Sequence, residues 1–282
     1  MLRVLLPEVA SITSMKKYKQ TLLWEIHGET LPGISYVFGT MHVRNQRAFQ
    51  RLQPVYAAID NCAAFAAEFD LDDASAGENL QVLALPPDVS LDQLIPPKKY
   101  EKLRHILRKT VDIELNLLKK SQPILVANLI EESIMAIDMP FSLDQHLWQY
   151  AHNQEKIMLG IETLQEQIEI LRQIPLKHQI QSLISTGSNI SLHRRSLQKM
   201  AKWYEEGDIQ QLYKTSRRGA HDLRKLLLYN RNELMANRIC ELVKAQTTFC
   251  AIGAAHLAGL KGVLRLLKRK GLQVRPVSMQ GV

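Results

Sequence analysis

The chain is poor in cysteine and has no long apolar run. Its 282 residues include only three cysteines, Cys62, Cys240 and Cys250, and no two of them have C-x-x-C spacing. This pattern predicts buried free thiols in a reducing compartment rather than a disulfide framework. No segment approaches the ~20 apolar residues that a membrane-spanning helix needs. Because Pro7 and Glu8 interrupt the apolar patch at the N-terminus, we also predict no export signal and a cytoplasmic protein.

The signatures of several large enzyme classes are absent as well. The chain contains no H-E-x-x-H, no G-x-S-x-G and no G-x-x-x-x-G-K-[ST], so it offers no support for a zincin, an α/β-hydrolase or a P-loop enzyme. The net charge of +8 permits an acidic partner. The basic residues are spread over several segments without interleaved aromatic residues, so we find no specific nucleic-acid signal. The composition, 46% hydrophobic and 23% charged, is that of a globular protein, and we predict one domain over residues 1–282.

Short apolar segments near both ends of the chain predict the strands of one sheet. The predicted strands are 21–27, 34–43, 62–70, 156–162, 247–253 and 273–279. The alanines of 62–70 also allow a helix there. Residues about 90–155 and 176–245 have apolar positions at helical spacing. We therefore predict an α/β fold, in which a central mixed sheet is built from N- and C-terminal segments and a largely helical middle region packs around it.

One pattern occurs twice, at opposite ends of the chain. In "YVFGTMHV" and in "FCAIGAAH" an apolar strand runs into a glycine, and a histidine follows three residues later: Gly39 with His42, and Gly253 with His256. Glycine lacks a Cβ, so each can take a positive φ or let another backbone approach closely. We predict a helix over 257–271 that His256 opens, and a helix N-terminus lowers the pKa of an imidazole.

Two further strands end in glutamate. Glu68 ends "CAAFAAE" and Glu162 ends "IMLGIE". In open α/β sheets the ligand cleft lies beyond the carboxyl ends of the strands, so four parallel neighbours would direct two imidazoles and two carboxylates into one cleft. Such groups suit metal binding or metal-free acid–base chemistry, and the residues leave both open. The less specific alternatives are a solvated acidic turn at Glu68 and a helix N-terminus that favours any carboxylate at Glu162.

Three polar residues of the helical segment "LLLYNRNELMANRICELV" are candidates for the same cleft. Arg231, Asn232 and Arg238 fit an ordinary exposed helix face. Alternatively, a guanidinium from this helix reaches the cleft and holds an anionic or carbonyl oxygen.

Taken in order, several motifs resemble one family. They are "YVFGTMHV", "FAAEFD", "SLDQHLWQYA" leading to "LGIETLQEQ", "YNRNELMANRI" and "AIGAAHLAGLKGVLRLLKRKG". From about Trp24 to Val277 this series resembles the TraB/GumN family, which is related to the Tiki proteases and more distantly to erythromycin esterases and ChaN-like haem-binding proteins. The chain departs from the family's L-E-T motif at Ile161, which precedes the glutamate.

The resemblance implies an α/β fold with a central sheet and a cleft that contains both motif histidines. For Tiki relatives it implies a metal-dependent peptidase supported by manganese or cobalt. At the positions that match the family's motifs, the resemblance implies His42, Glu68 and His256 as metal ligands and Glu68, Glu162, Arg231 and Asn232 as catalytic residues.

We therefore expect a hydrolase, in first place a metal-dependent peptidase that acts on a peptide or a small ester through the paired G-x-x-H motifs. One alternative is a metal-free esterase with His42 as its base. Another is a haem- or metal-binding module in which His42 or His256 is the ligand. A third is an interaction protein with a vestigial site.

Overall fold

A six-stranded mixed sheet forms the centre of the protein. The computed structural model describes residues 20–73, 84–135 and 138–279. The strands are β1 (Leu23–His27), β2 (Ser35–Thr40), β3 (Ala64–Ala67), β4 (Ile157–Gly160), β5 (Thr248–Gly253) and β6 (Gln273–Pro276). Each lies within one of the six predicted segments, so the predicted α/β fold with strands from both ends of the chain is confirmed.

The order of the strands is β4-β3-β5-β2-β1-β6. The first four are parallel neighbours, whereas β1 is antiparallel to both β2 and β6. A short turn suffices for the antiparallel β1–β2 hairpin, but a parallel pair requires a crossover connection. Consequently the carboxyl ends of β2, β3, β4 and β5 lie at one edge of the sheet.

Helices make up most of the remaining described chain, including the predicted middle region. They are α1 (Gln53–Asp60), α2 (Leu91–Leu94), α3 (Pro97–Val111), α4 (Pro123–Ile134), α5 (Leu143–Asn153), α6 (Leu164–Arg172), α7 (Leu176–Ser188), α8 (Ile190–Glu205), α9 (Ile209–Gly219), α10 (Asn230–Ala245) and α11 (Val263–Arg269). Capping boxes begin two of them. At α5 the Ser142 side chain accepts from the Gln145 N–H, and at α6 Thr163 accepts from Glu166, as the T-x-x-E motif predicts.

The buried apolar residues form two clusters. The larger surrounds the sheet, where the fully buried rings of Phe65 and Phe249 stack with centroids 5.5 Å apart. The smaller lies among α3, α4 and α7 and includes Leu103, Leu107 and Ile130. Burial of each such side chain contributes about 1.5–3 kcal/mol to the stability of the fold, so a well-packed core supports the edge of the sheet.

All three cysteines are buried and free, as predicted. Over the ranges that the structure describes, none of the helices combines the length and apolar character required to cross a bilayer.

The prediction of one helix over 257–271 is wrong. The helix α11 covers only Val263–Arg269, and His256 lies in a short 3-10 turn before it. Gly259 has a φ of +95°, which ends any helix at that point. A Cβ at Gly262 would lie 2.1 Å from the Ala258 carbonyl oxygen, so only glycine fits the tight turn before α11. These glycines break the helical pattern that the leucines suggest.

Candidate active site at the carboxyl edge of the sheet

The two histidine motifs leave the sheet side by side. Thr40 at the end of β2 pairs with Gly253 at the end of β5. His42 follows the first strand by two residues and His256 follows the second by three. Two motifs from opposite ends of the chain therefore begin at the same edge, in keeping with the predicted parallel neighbours.

The two glutamates also lie together. Ala67 of β3 pairs with Gly160 of β4; Glu68 is the next residue after Ala67, and Glu162 is the second residue after Gly160. The backbone N–H of Glu162 donates to the carbonyl oxygen of Glu68 over 2.6 Å. This hydrogen bond extends the strand pairing and places both carboxylates at the edge where the histidine motifs begin.

Gly39 is needed for a close approach rather than for its backbone angles. Neither Gly39 nor Gly253 has a positive φ, so that alternative does not apply. A Cβ at Gly39 would lie 2.7 Å from Leu257 Cδ1 and 3.0 Å from the Ala254 Cα. The segment that contains His256 can therefore pack directly on β2 because Gly39 has no side chain.

Arg231 bridges the two glutamates. Its Nη2 lies 2.8 Å from Glu68 Oε2 and 2.5 Å from Glu162 Oε2, and its Nε donates to Glu162 Oε1 over 3.0 Å. The Glu162 side chain is 0% exposed and that of Arg231 is 17% exposed. A buried carboxylate needs such a partner to stay ionised. Among the described residues neither carboxylate binds Nη1 of Arg231.

The same contacts determine the charge of Glu68 and of Arg231. Burial would raise the pKa of Glu68, but the electrostatic interactions with the His256 imidazole and the Arg231 guanidinium and the Gly253 N–H, which donates to Oε1 over 2.7 Å, outweigh burial and lower that pKa. Burial likewise opposes the charge of Arg231, yet its hydrogen bonds to Glu162 and the charge of Glu68 raise its pKa. Glu68 is therefore a carboxylate and Arg231 a guanidinium at neutral pH.

Asn232 orients the imidazole of His256. The Asn232 Nδ2 donates to the Lys261 carbonyl oxygen over 2.6 Å, so its Oδ1 is the atom that faces His256 Nδ1, also at 2.6 Å. Since Oδ1 can only accept, Nδ1 carries the proton and Nε2 keeps its lone pair. Burial lowers the pKa of His256. The predicted direction of this shift is confirmed, but its cause is burial.

His42 has the opposite environment. Its side chain is 68% exposed, and Nδ1 lies 3.4 Å from Asp144 Oδ2. The interaction with Asp144 raises the pKa of His42 despite partial burial of the ring, and the negative charges of Glu132 and Glu68 add to it. The Asp144 Oδ2 is buried and accepts no hydrogen bond of ordinary geometry in the described chain. The two motif histidines thus differ: one imidazole is kept neutral and the other is favoured as a cation.

The predicted metal ligands fit a divalent ion in chemistry but not in spacing. Imidazole nitrogen and carboxylate oxygen both bind such ions, and each histidine directs Nδ1 to an oxygen, as ligating histidines do. Across residues 20–73, 84–135 and 138–279, however, no three His, Cys, Asp or Glu side chains are grouped so that they could hold an ion. Glu68 instead binds the guanidinium of Arg231. The ligand set of His42, Glu68 and His256 stays a prediction.

Sequence analysis missed two polar residues of the site. Gln167 donates from Nε2 to Glu162 Oε2 over 3.1 Å and reaches Glu68 Oε2 at 3.4 Å. It follows the T-x-x-E box by one residue, the nearest signal in the sequence. Asp144, beside His42, is an acidic residue in the first turn of α5, where any carboxylate is favoured. No local sequence feature distinguishes an Asp144 that contacts His42 from an acidic residue that only stabilises the start of a helix.

Arg238 does not enter the cluster. It forms a two-pronged ion pair with Glu166, with N–O distances of 2.7 and 2.8 Å, and donates to the Ile161 carbonyl oxygen over 2.9 Å. Arg238 therefore lies neither on a free helix face nor in the cleft, which were the two alternatives for this residue. It joins α10 to the start of α6 and so supports the backbone next to Glu162.

The fold and the cluster define the class of the chain: it is an α/β protein in which Glu68, Glu162 and Arg231 form a cluster at the sheet edge where the two histidine motifs begin. The TraB/PrgY/gumN family model matches residues 22–276, and the chain belongs to that family. Relatives include Metalloprotease TIKI1 of Danio rerio, 24% identical, and Metalloprotease TIKI2 of Xenopus tropicalis, 25% identical, each over 85% of this chain. The chain spans 60% and 57% of their lengths. No solved structure matches the chain significantly.

Proposed function

We propose that this protein is a hydrolase that cleaves peptide bonds at the cluster of Glu68, Glu162, Arg231 and His256, with His42 at its margin. The observation that carries the proposal is the geometry of the cluster: Arg231 bridges Glu68 and Glu162, and Asn232 orients the His256 imidazole so that Nε2 keeps its lone pair. The pKa shifts of the two motif histidines agree with it, since that of His256 is lowered and that of His42 is raised. Two titratable groups whose environments move their pKa values apart are suited to serve as base and acid in one reaction. The names of the metalloprotease relatives agree with this class.

His256 is the base in this proposal. Its Nε2 carries a lone pair at neutral pH, and Asn232 holds the ring in that tautomer. When Nε2 takes a proton from water, the imidazolium that forms is attracted by the nearby Glu68, whose charge raises the pKa of His256. A base of this kind contributes about 10²–10⁴-fold to a rate.

The remaining residues act on the substrate and on the leaving group. His42, which is exposed and more readily protonated, donates a proton to the departing amine. Arg231 directs Nη1 to the carbonyl oxygen as negative charge develops on it, while Nε and Nη2 hold the two glutamates in place. Glu162 keeps Arg231 in position, and Asn232 does the same for His256.

A divalent ion, with manganese or cobalt as first candidates, is the finer form of the proposal. If bound, such an ion polarises a carbonyl group and lowers the pKa of water. Within the described chain, His42, Glu68 and His256 are not grouped closely enough to hold one ion. The acid–base steps of the proposal therefore rely on the side chains alone.

Hydrolysis of a mixture of fluorogenic peptides by the purified protein tests the proposal. His256→Ala and His42→Ala should each lower kcat/KM by about 10²–10⁴-fold. His105→Ala, which removes an exposed histidine on α3, should leave it unchanged. The wild-type pH profile should be bell-shaped, because the base must be neutral and the acid protonated.

The same assay separates the forms of the proposal. Loss of activity with a chelator and its return with manganese or cobalt would establish the metal-dependent form. Equal kcat/KM values for His256→Ala and His105→Ala would refute the role of His256. Hydrolysis of small esters alone, with every peptide left intact, would favour an esterase.

A further inference from the structure

Two cavities adjoin each other beyond His42. The first, of about 520 Å³, lies between the segment after β2, the end of α4, the start of α5 and one face of α8; its apolar lining includes Met41, Met135, Leu197 and Met200. The second, of about 390 Å³, shares Met135 with the first and continues along α8 past Arg47 and Arg194. We call the two together the α8 groove. It begins at His42, one of the residues of the proposed reaction.

The two cavities of the α8 groove have different charged residues in their linings. Glu131, Glu132 and Arg44 line the cavity next to His42. Arg44 donates from Nε to the Met139 carbonyl oxygen, and the charge of Glu132 contributes to the raised pKa of His42. Arg47 and Arg194 line the other cavity. Within the described parts of the chain, the ion pair of Arg47 is a loose one, with its Nε 4.0 Å from Glu205 Oε2. No ion pair to Arg194 occurs within the described ranges.

We propose that the α8 groove binds an extended peptide substrate, with an apolar side chain next to His42 and a carboxylate between Arg47 and Arg194. This inference rests on the proposed function. Methionine side chains adapt to apolar groups of different shape, and arginine is well suited to bind a carboxylate. Glu131 and Glu132 disfavour a carboxylate near His42, so we expect the peptide to lie with its carboxylate at the end of the groove that Arg47 and Arg194 line.

Two labelled peptides test the groove. They are identical, with one leucine, except that the residue three positions after it is glutamate in one and glutamine in the other. Three residues of an extended chain span about 10 Å. Binding is followed by fluorescence anisotropy with the full chain carrying His256→Ala, so that turnover does not interfere. The glutamate peptide should bind about three- to tenfold more tightly.

The variants identify the groups responsible. Arg194→Glu, made in the same chain, should abolish the preference for the glutamate peptide. Arg195→Glu has the same change of charge at the next exposed position of α8, outside the groove lining, and should keep the preference. Because both substitutions are at exposed sites, neither should change the unfolding midpoint.

Each outcome bears on the inference. Equal loss of preference in Arg194→Glu and Arg195→Glu, no preference in the parent chain, or no binding of either peptide would overturn it. Hydrolysis of both peptides by the wild type without any preference would overturn the groove and leave the proposed function standing. A preference that depends on Arg194 in a protein that hydrolyses no peptide would support the groove as a peptide site and refute the proposed function.

Discussion

Replacing Arg231 by methionine removes the cation that bridges the buried carboxylate of Glu162 and the partly exposed carboxylate of Glu68. Methionine has a similar length but no charge, so the change leaves Glu162 without its main partner. Removing one partner of a buried ion pair costs about 3–5 kcal/mol. That figure applies to Glu162, which is 0% exposed, whereas Glu68 is 23% exposed and keeps its bond from the Gly253 N–H. We therefore expect a loss of about 3–4 kcal/mol in the free energy of unfolding at pH 7.

The loss should depend on pH in a defined direction. Without Arg231, Glu68 keeps the burial that raises its pKa and loses the guanidinium that lowers it, so we expect the pKa of Glu68 to rise above its unfolded value. The folded variant then binds more protons than the unfolded chain, and its stability falls as pH rises through the raised pKa. The difference from the wild type should be larger at pH 7 than at pH 5.

Urea unfolding at both pH values measures this difference. With m near 3 kcal/mol/M, a loss of 3 kcal/mol lowers the midpoint by about 1 M. Arg238→Met is the matched control on the same helix, because the side chains of Arg238 and Glu166 are 32% and 36% exposed; it should cost no more than about 1 kcal/mol. Equal midpoints for the two variants would show that Glu162 is solvated, and the reasoning about the cluster would fail.

Two further predictions concern packing and pH. Gly39→Ala should lower the unfolding free energy by about 1–3 kcal/mol, because the added Cβ would overlap Leu257. Gly219→Ala is the control, since its added Cβ meets nothing within 4 Å. Thermal unfolding should show a lower midpoint for Gly39→Ala and an unchanged midpoint for Gly219→Ala. The hydrogen bonds from Arg238 lower the pKa of Glu166 to about 2. The ion pair therefore stabilises the folded protein fully at pH values above the pKa of Glu166 in the unfolded chain, and this stabilisation is lost as the pH falls to about 2. The urea midpoints of wild type and Arg238→Met should therefore differ at pH 7 and converge towards pH 2, and a constant difference would contradict the assigned pair.

Local sequence patterns predicted the six strands but not their order in the sheet. Apolar runs of four to six residues such as those of β2 and β5 favour extended chain, because the segment is buried on both faces of the sheet. The Ser142 and Thr163 capping signals also correspond to helix starts. The pattern failed after His256, where Gly259 and Gly262 interrupt a leucine periodicity that by itself indicates a continuous helix.

The sequence by itself determined which residues the strand ends present: the paired G-x-x-H motifs, Glu68 and Glu162 follow from residues next to one another in the chain. Only the tertiary structure decided what these residues contact. Arg231 meets Glu162 across 69 positions and Glu68 across 163, and no local pattern encodes a distance between segments so far apart. The parallel sheet brings these segments together, and burial at its edge then determines that the pKa of His256 falls.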